Sequence, residues 1–442
     1  MLLEFSAENY RSLRDQQSLD LRATATRDLS EMVRHPPGLE GTRGVVATAV
    51  VFGANASGKS SLFMAADFIR SAVLHSAAEA VEGAGILQQV APFRFDSERS
   101  RGPVTLRVTF LKDAIRHEYG MVLAPSQGAR AFTRVTSEWL RMWPKNRARD
   151  VFLRGEAAAQ AGHAQALWVS DEGFHGGHRL AADLYEQTRE DVLFLSLASQ
   201  RNHPQAKAVV SWFNEQFLTA ARPTAGETEA AMLEDPHFAG YVTRLLCAAD
   251  TGIQRIEVTP EDVKYRPLPP NPKYRKSFVS RLSPGSYTTR TVHRDETGHD
   301  VVLALEDESH GTQRLFHLAG PIYDALRHGR CLWIDELDTG MHHCLLRSLI
   351  KMFQSPVSNP HGAQLLFTTH DAALMDPTLF RRDQIWIVEK DAAQGTQLFS
   401  LVDFEDKPRK HQPLFKSFLS GRFGGVPNLD EAAIMAWPRG DS

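Results

Sequence analysis

Three apolar runs in this chain predict buried strands, and each of them ends in polar or glycine-rich residues. The first run, Val45 to Gly53, is rich in β-branched residues, as expected for a strand buried on both faces. Residues 60–81 then place apolar side chains at helical spacing and contain good helix formers. The order at this point of the chain is therefore strand, glycine loop and helix.

The rest of the pattern predicts how the chain is organised. Residues 92–142 contain short alternating runs between turn residues, which predicts strands, whereas 181–249 has helical spacing that is clearest at 208–221 and 237–250. The proline-rich basic stretch 264–277 can form neither a helix nor a central strand. Helices and strands alternate again from Gln313 onward. We expect one α/β domain made from both ends of the chain, 1–140 and 291–442, interrupted by a mostly helical insertion at 141–290.

Composition narrows the class of protein. A chain of 442 residues exceeds one simple core, and a formal net charge of -3 gives no general reason to expect nucleic-acid binding. Its three cysteines form no CxxC pair, which favours a reducing compartment over a disulfide framework. The N-terminus lacks the apolar core of a signal peptide, and no run approaches the roughly 20 apolar residues of a membrane helix. We expect a soluble cytoplasmic protein without a membrane partner.

The glycine loop carries the strongest chemical signal. Gly53, Gly58, Lys59 and Ser60 match the spacing GxxxxGK[ST]. Glycines let successive backbone N–H groups turn toward phosphate oxygens, and the N-terminus of the following helix adds a positive dipole end. Lys59 would reach the β- and γ-phosphates, and the Ser60 hydroxyl would bind magnesium. The competing interpretation is an ordinary glycine turn. The predicted phosphate-binding residues are Gly53, Ala54, Asn55, Ala56, Ser57, Gly58, Lys59, Ser60 and Ser61.

A second candidate site follows the apolar run 331–334, where Asp335 and Glu336 come next. A carboxylate at the end of a buried strand can hold magnesium, and an adjacent Glu can orient or deprotonate an attacking water. Acidic residues are also common at helix N-termini. Together with the glycine loop, this pair favours the catalytic interpretation.

Two further stretches contribute candidates. In "QLLFTTHD" another predicted buried strand ends just before His370, at the sheet edge where α/β proteins bind ligands. In "ESHGTQRLF" Ser309 and Gly311 stand at the start of a predicted helix, a potential anion site. The structural alternatives are a satisfied histidine and ordinary helix capping by Ser309.

In this order, "GANASGKS", "ESHGTQRLF", "LWIDELDTGMH" and "LLFTTHD" resemble the ABC-type ATPases of the SMC, RecF and OLD group. More narrowly, the set is similar to the compact AAA-family ATPases of bacterial abortive infection and phage defence, the RloA-like proteins. The likeness covers residues 1–140 and 290–427. It implies an α/β P-loop NTPase with an ABC-type head, a mixed sheet flanked by helices, and a mostly helical insertion.

The resemblance also implies how a site would be assembled. It implies a homodimer, or a higher homo-oligomer, that holds ATP and Mg²⁺ between subunits. One subunit would supply the loop Gly53–Ser61, with Asp335 as a metal ligand. Glu336 would act on the water, and His370 would sense the γ-phosphate. The other subunit would supply the signature residues Ser309, Gly311 and Thr312, and Asp338 would couple the two sites.

The sequence departs from the usual Leu-Ser-Gly-Gly-Gln signature, because His310 replaces the first glycine and Thr312 the glutamine. Gln88 and Gln89 lie where a Q-loop would be expected but carry no further motif. His342, His343 and Cys344 could suggest a metal site, but consecutive helical residues point about 100 degrees apart and cannot converge on one ion. We therefore predict no metal site there.

The resemblance implies an ATP-driven switch that regulates a separately encoded effector, a nuclease, in anti-phage defence. No second acidic cluster follows His370, so we expect no nuclease chemistry in this chain. One alternative is a DNA-repair or chromosome-clamp ATPase that grips DNA itself, and another is a small-molecule kinase. The basic runs 141–149 and 273–281 leave direct nucleic-acid contact open, beside a solvated turn or a dimer contact.

Overall fold

A computed structural model describes residues 1–39, 43–78, 83–125, 133–144, 147–170, 173–220, 225–260, 287–404, 414–427 and 430–435. Among these residues, no helix has both the length and the apolar character needed to cross a membrane. The chain divides into two compact units. The N/C unit contains 2–214 and 366–442, and the middle unit contains Met1 and 215–365.

The N/C unit contains most of the strands. Its strands are β1 (Leu2–Glu8), β2 (Gln17–Asp20), β3 (Val33–Arg34), β4 (Val45–Val46), β5 (Thr48–Phe52), β6 (Val104–Lys112), β7 (Ile115–Pro125), β8 (Thr133–Trp143), β9 (Arg149–Gly155), β10 (Leu167–Val169), β17 (Ile385–Lys390) and β18 (Thr396–Ser400). Its helices are α1 (Lys59–His75), α2 (Glu156–Gln160), α3 (Gly177–Glu186), α4 (Phe194–Gln200), α5 (Pro204–Glu215), α10 (Leu414–Leu419) and α11 (Glu431–Met435). The strand β16 (Gln364–Thr369) begins in the middle unit and ends in this one, and the last residue of α5, Glu215, is assigned to the middle unit.

Seven strands of the N/C unit form an antiparallel sheet in the order β10-β9-β8-β7-β6-β1-β2. The alternating runs at 104–143 build its centre, which confirms the predicted β-rich segment. Phe110 of β6 stacks on Trp212 of α5 at 4.0 Å between ring centroids, so the apolar face of the sheet is covered by a helix. The charged face stays half-exposed, as alternation in an antiparallel sheet predicts.

The strand that leads into the glycine loop belongs to a mixed sheet, with both parallel and antiparallel pairs. β5 is buried at every position and pairs in parallel with β17, which pairs antiparallel with β18. The helix α1 then buries its apolar stripe, from Leu62 to Val73. This confirms the predicted strand, loop and helix, although α1 ends at His75, before the predicted end at 81.

The middle unit contains the remaining elements. They are β11 (Phe217–Thr219), α6 (Ala225–Glu234), α7 (Pro236–Ala248), β12 (Arg255–Pro260), β13 (Tyr287–Arg294), β14 (Asp300–Ala304), α8 (His310–His328), β15 (Cys331–Ile334) and α9 (His343–Gln354). β11 pairs in parallel with β15, and β12, β13 and β14 form a separate antiparallel sheet. The α/β fold class predicted from the sequence is confirmed.

One predicted helix is wrong at its end. The helical spacing of 208–221 predicts one helix, but α5 stops at Glu215 and Phe217–Thr219 forms β11. Parallel pairing with the buried β15 supplies hydrogen bonds that override local helix propensity. The helix at 237–250 is confirmed by α7. The predicted proline-rich loop at 264–277 lies outside the described residues, and the domain bounds 1–140, 141–290 and 291–442 stay a prediction.

Candidate functional site

The glycine loop connects the buried β5 to α1, and close packing explains both of its motif glycines. A Cβ on Gly53 would lie 2.6 Å from the carbonyl oxygen of Val388. A Cβ on Gly58 would lie 2.0 Å from Oγ1 of Thr396, and the φ of Gly58 is 109°, where other residues are strained. The sequence match therefore coincides with two positions where neighbouring atoms leave no room for a Cβ.

Lys59 is the first residue of α1, and its side chain folds back onto the loop that precedes the helix. Only 5% of its surface is exposed, and its Nζ donates to the carbonyl oxygens of Gly53, at 2.7 Å, and Ala54, at 2.9 Å. A buried ammonium needs such partners because desolvation of an isolated charge costs on the order of several kcal/mol. The loop thus holds a positive charge at its centre.

Two features of the loop fit a phosphate group. The Ser57 side chain is buried, and its Oγ has no hydrogen-bond partner in the part of the chain that the structure describes. No side chain caps the N-terminus of the 17-residue α1, and its first turn contains no acidic residue. The positive end of the helix dipole favours an anion at this N-terminus. The residues present therefore fit a nucleotide phosphate, with Ser60 half-buried at the second position of α1.

His370 follows the fully buried strand β16, as predicted, and its side chain is exposed. Nδ1 of His370 lies 3.5 Å from Nζ of Lys59. The next residue, Asp371, caps a short 3-10 turn by accepting from the N–H of Ala373. The structure thus brings His370 to the predicted phosphate loop.

The candidate carboxylates lie in the middle unit, directly after the buried strand β15. Asp335 is half-buried, and Glu336 is exposed with a φ of 51°, in the left-handed region. Arg314 of α8 donates from Nη2 to the carbonyl oxygen of Asp335 at 3.2 Å. Burial lowers the pKa of the Arg314 guanidinium, and the Glu336 and Asp335 carboxylates oppose this shift. These acids therefore have a cation beside them.

The predicted signature lies in the same unit as these acids. The Ser309 hydroxyl caps α8 by accepting from the N–H of Thr312 at 3.1 Å, and it contacts Oγ1 of Thr312 at 2.8 Å. A Cβ on Gly311 would lie 2.2 Å from the carbonyl oxygen of Gly340. The turn from Asp338 to Met341, closed by a 3.1 Å backbone hydrogen bond, therefore packs against the signature.

The predicted site residues form two groups. Gly53–Ser61 and His370 are in the N/C unit, whereas Ser309, Gly311, Thr312, Asp335, Glu336 and Asp338 are in the middle unit. Gln88 exchanges two hydrogen bonds with the backbone of Thr133, and its side chain is therefore engaged in structure. The His342 ring caps α9 by accepting from the N–H of Cys344. The roles of these residues stay predictions.

Three residues around the loop and the acids were not predicted. Arg314 stands inside the quoted stretch "ESHGTQRLF", where a single arginine on a helix carries no signal of its own. Ser12 and Thr396 contact the glycine loop from opposite ends of the chain. Only pairing between strands far apart in sequence brings them there, so spacing could not identify them.

A family model described as "AAA domain, putative AbiEii toxin, Type IV TA system" matches residues 49–161 and 182–376. Two solved structures are similar at low identity. The SMC head domain from Thermotoga maritima has a TM-score of 0.38 at 11% identity, covering 90% of this chain and 98% of that one. The SmcHead bound to the C-winged helix domain of ScpA has a TM-score of 0.40 at 12% identity, covering 90% and 97%. No curated protein matches the sequence.

Proposed function

This chain belongs to the AAA-domain family whose model covers its motifs, and on that premise we propose that it is an ATP-hydrolysing ABC-type switch. In this proposal it forms a homodimer, or a larger homo-oligomer, around ATP and Mg²⁺. Its ATP state regulates a separately encoded effector, a nuclease, in bacterial anti-phage defence. The family description refers to an abortive-infection toxin, which supports a role in defence.

The observation that carries the proposal is the glycine loop with the buried ammonium of Lys59 at its centre. A buried cation, an uncapped helix N-terminus and glycines that no side chain can replace form an anion site of the kind that takes polyphosphate. Gly53–Ser61 would hold the phosphates, and Ser60 with Asp335 would hold magnesium. Bound Mg²⁺-ATP supplies the phosphoryl group and the charge neutralisation that its transfer needs.

The other residues take roles that follow from their chemistry. Glu336, exposed at a strand end, would orient the attacking water and accept its proton. His370 would donate toward the γ-phosphate beside Lys59. Ser309, Gly311 and Thr312 of a second copy would contact the same phosphate, and Asp338 would couple the two sites. We also propose the division into 1–140, 141–290 and 291–442 for these functional parts.

A single substitution tests the switch. Glu336→Gln keeps the shape of the side chain but cannot accept a proton, so this variant should bind ATP without hydrolysing it. Its mass in solution, measured with and without Mg²⁺-ATP, should double when ATP is present. Adding Ser309→Arg should prevent that change, whereas Ser348→Arg, an exposed serine on α9, should not. An unchanged mass with bound ATP would overturn the dimer.

The defence role needs a test in cells. The gene with its native flanking genes should lower the efficiency of plaque formation when introduced into a phage-sensitive host. Lys59→Ala should remove the protection, because the loop would lose the cation at its centre. Protection that persists in Lys59→Ala would contradict a role for nucleotide. If instead purified protein binds duplex DNA in an ATP-promoted and salt-sensitive way, the clamp alternative replaces the effector switch.

A further inference from the structure

Two residues with side-chain hydroxyls, from distant parts of the chain, contact the glycine loop and the first turn of α1. Thr396, the first residue of β18, places Oγ1 2.9 Å from the carbonyl oxygen of Ser57. Ser12, in the segment after β1, places Oγ 2.8 Å from Oγ of Ser61. These contacts lie on either side of the turn that contains Lys59 and Ser60.

The contact from Thr396 fixes the direction of a loop amide. Peptide groups are planar, and the C=O and N–H of one peptide point in opposite directions. Since the Ser57 carbonyl accepts from Thr396, the N–H of Gly58 in the same peptide points away from Thr396. That side of the loop is where an anion could be bound, because the side chain of Thr396 fills the other.

The two hydroxyls also form one unit with each other. Oγ1 of Thr396 lies 2.8 Å from Oγ of Ser12, and the backbone N–H of Thr396 donates to the carbonyl oxygen of Ser12 at 2.7 Å. Three hydroxyls, those of Ser12, Ser61 and Thr396, have one proton each for the three contacts among them and the Ser57 carbonyl. Every contact can therefore be a hydrogen bond.

Neighbouring contacts hold the two segments together. Arg14 pairs with Asp391 at 2.9 Å, and the N–H of Leu398 donates to Oε1 of Gln17 at 2.8 Å. Thr396 is 1% exposed, and its hydroxyl is therefore shielded from competing water. The segment after β1 and the start of β18 thus present a preorganised pair of hydroxyls to the loop.

We propose that Ser12 and Thr396 are positioning residues that hold the Ser57–Gly58 peptide and the first turn of α1 in the conformation that binds nucleotide phosphate. The inference rests on the proposed function, since it concerns the same loop. It adds that the affinity for nucleotide depends on a residue at the far end of the chain, outside the GxxxxGK[ST] motif.

The experiment measures the Kd for Mg²⁺-ATP in the Glu336→Gln background. Thr396→Val removes the hydroxyl with little change of shape and should raise Kd about fivefold to tenfold, the effect of one lost hydrogen bond. Thr396→Ser should restore the Kd to within about twofold of the parent by the same reasoning. Ser12→Ala, at a half-buried position that tolerates truncation more easily, should also raise it.

Thr48→Val is the matched control, since Thr48 is a fully buried threonine of the same unit whose hydroxyl accepts from Gln384 at 2.7 Å. It should lower Tm without changing Kd. Equal Kd values for the parent, Thr396→Val and Ser12→Ala would overturn the inference alone. A parent that fails to bind Mg²⁺-ATP would overturn the proposed function itself, and the two failures are thereby distinguished.

Discussion

Nζ of Lys59 lies 3.5 Å from Nδ1 of His370, although 311 positions separate the two residues in the chain. Each residue stands at the end of a buried strand or at the start of the helix that follows one. Carboxyl ends of neighbouring strands are where α/β proteins gather ligand-binding groups. The pair therefore places a cation and an imidazole ring beside the predicted phosphate loop.

His370→Ala should separate ATP binding from hydrolysis. Lys59 and the loop backbone remain in place, so the KM for ATP should change little. The loss of a donor that acts on the developing charge should lower kcat by about 10²-fold. Steady-state phosphate release at increasing ATP concentration gives both constants.

His163→Ala is the control for that change, because His163 belongs to the same unit and its ring stacks on Trp168. It should leave both constants unaltered. An unchanged kcat in His370→Ala would mean that the histidine has no role in hydrolysis.

We expect the backbone of Glu336 to be strained, and we expect its carboxylate to be required for ATPase activity. Its φ of 51° is costly for any residue with a Cβ, by about 1 kcal/mol. Glu336→Gly and Glu336→Ala both remove the carboxylate, and both should lack ATPase activity. The glycine variant should nevertheless be the more stable one, by up to about 1 kcal/mol, in urea unfolding. An alanine variant of equal or greater stability would show that the backbone there is not strained.

Gly311→Ala should disturb the signature through its contact with Gly340. A methyl group would lie 2.2 Å from a backbone oxygen, so α8 and the turn at 338–341 must move apart. We expect a loss of about 1–3 kcal/mol in the free energy of unfolding. Gly240→Ala is the matched control in α7, because its methyl group would meet only the flexible end of Arg244 at 3.3 Å. That variant should be as stable as the parent or more stable.

The sequence predicted the elements around the site well where local pattern and tertiary role agree. β5, β15 and β16 are short apolar runs, and the glycines of the loop had both a motif and a steric reason. Ser309 was a good N-cap by residue type, and it caps α8. In these cases one local signal was enough.

Prediction failed where a distant strand decided the outcome. Phe217–Thr219 follows helical spacing but pairs with β15. The pattern could not predict this strand, because its partner lies more than a hundred residues away in the sequence. The role of Thr396 was not predicted for the same reason. Its sequence indicates only a hairpin strand, and its contact with Ser12 depends on how β18 packs against the segment after β1. Contacts of this kind depend on topology, which no short stretch encodes.

The free energy of unfolding should fall at alkaline pH because of the buried phenol of Tyr119. Its hydroxyl donates to Oε1 of Glu138 at 3.0 Å in the core of the seven-stranded sheet. Burial and the Glu138 carboxylate raise the pKa of Tyr119 well above its ordinary value of 10.0. The folded chain therefore keeps this proton at a pH where the unfolded chain loses it, so the contribution to stability is full below pH 10 and declines above it.

Tyr119→Phe removes the titrating group and a hydrogen bond to a charged acceptor, which should cost about 1.5–3 kcal/mol at pH 8. The difference from the parent should then shrink by about 1.4 kcal/mol by pH 11, because only the parent loses stability through this residue. Urea unfolding at pH 8 to 11 measures both values. Leu140→Ala, a buried change without a titratable group, should keep a constant difference over that range. A constant difference for Tyr119→Phe as well would mean that the phenol ionises equally in the folded and unfolded chain.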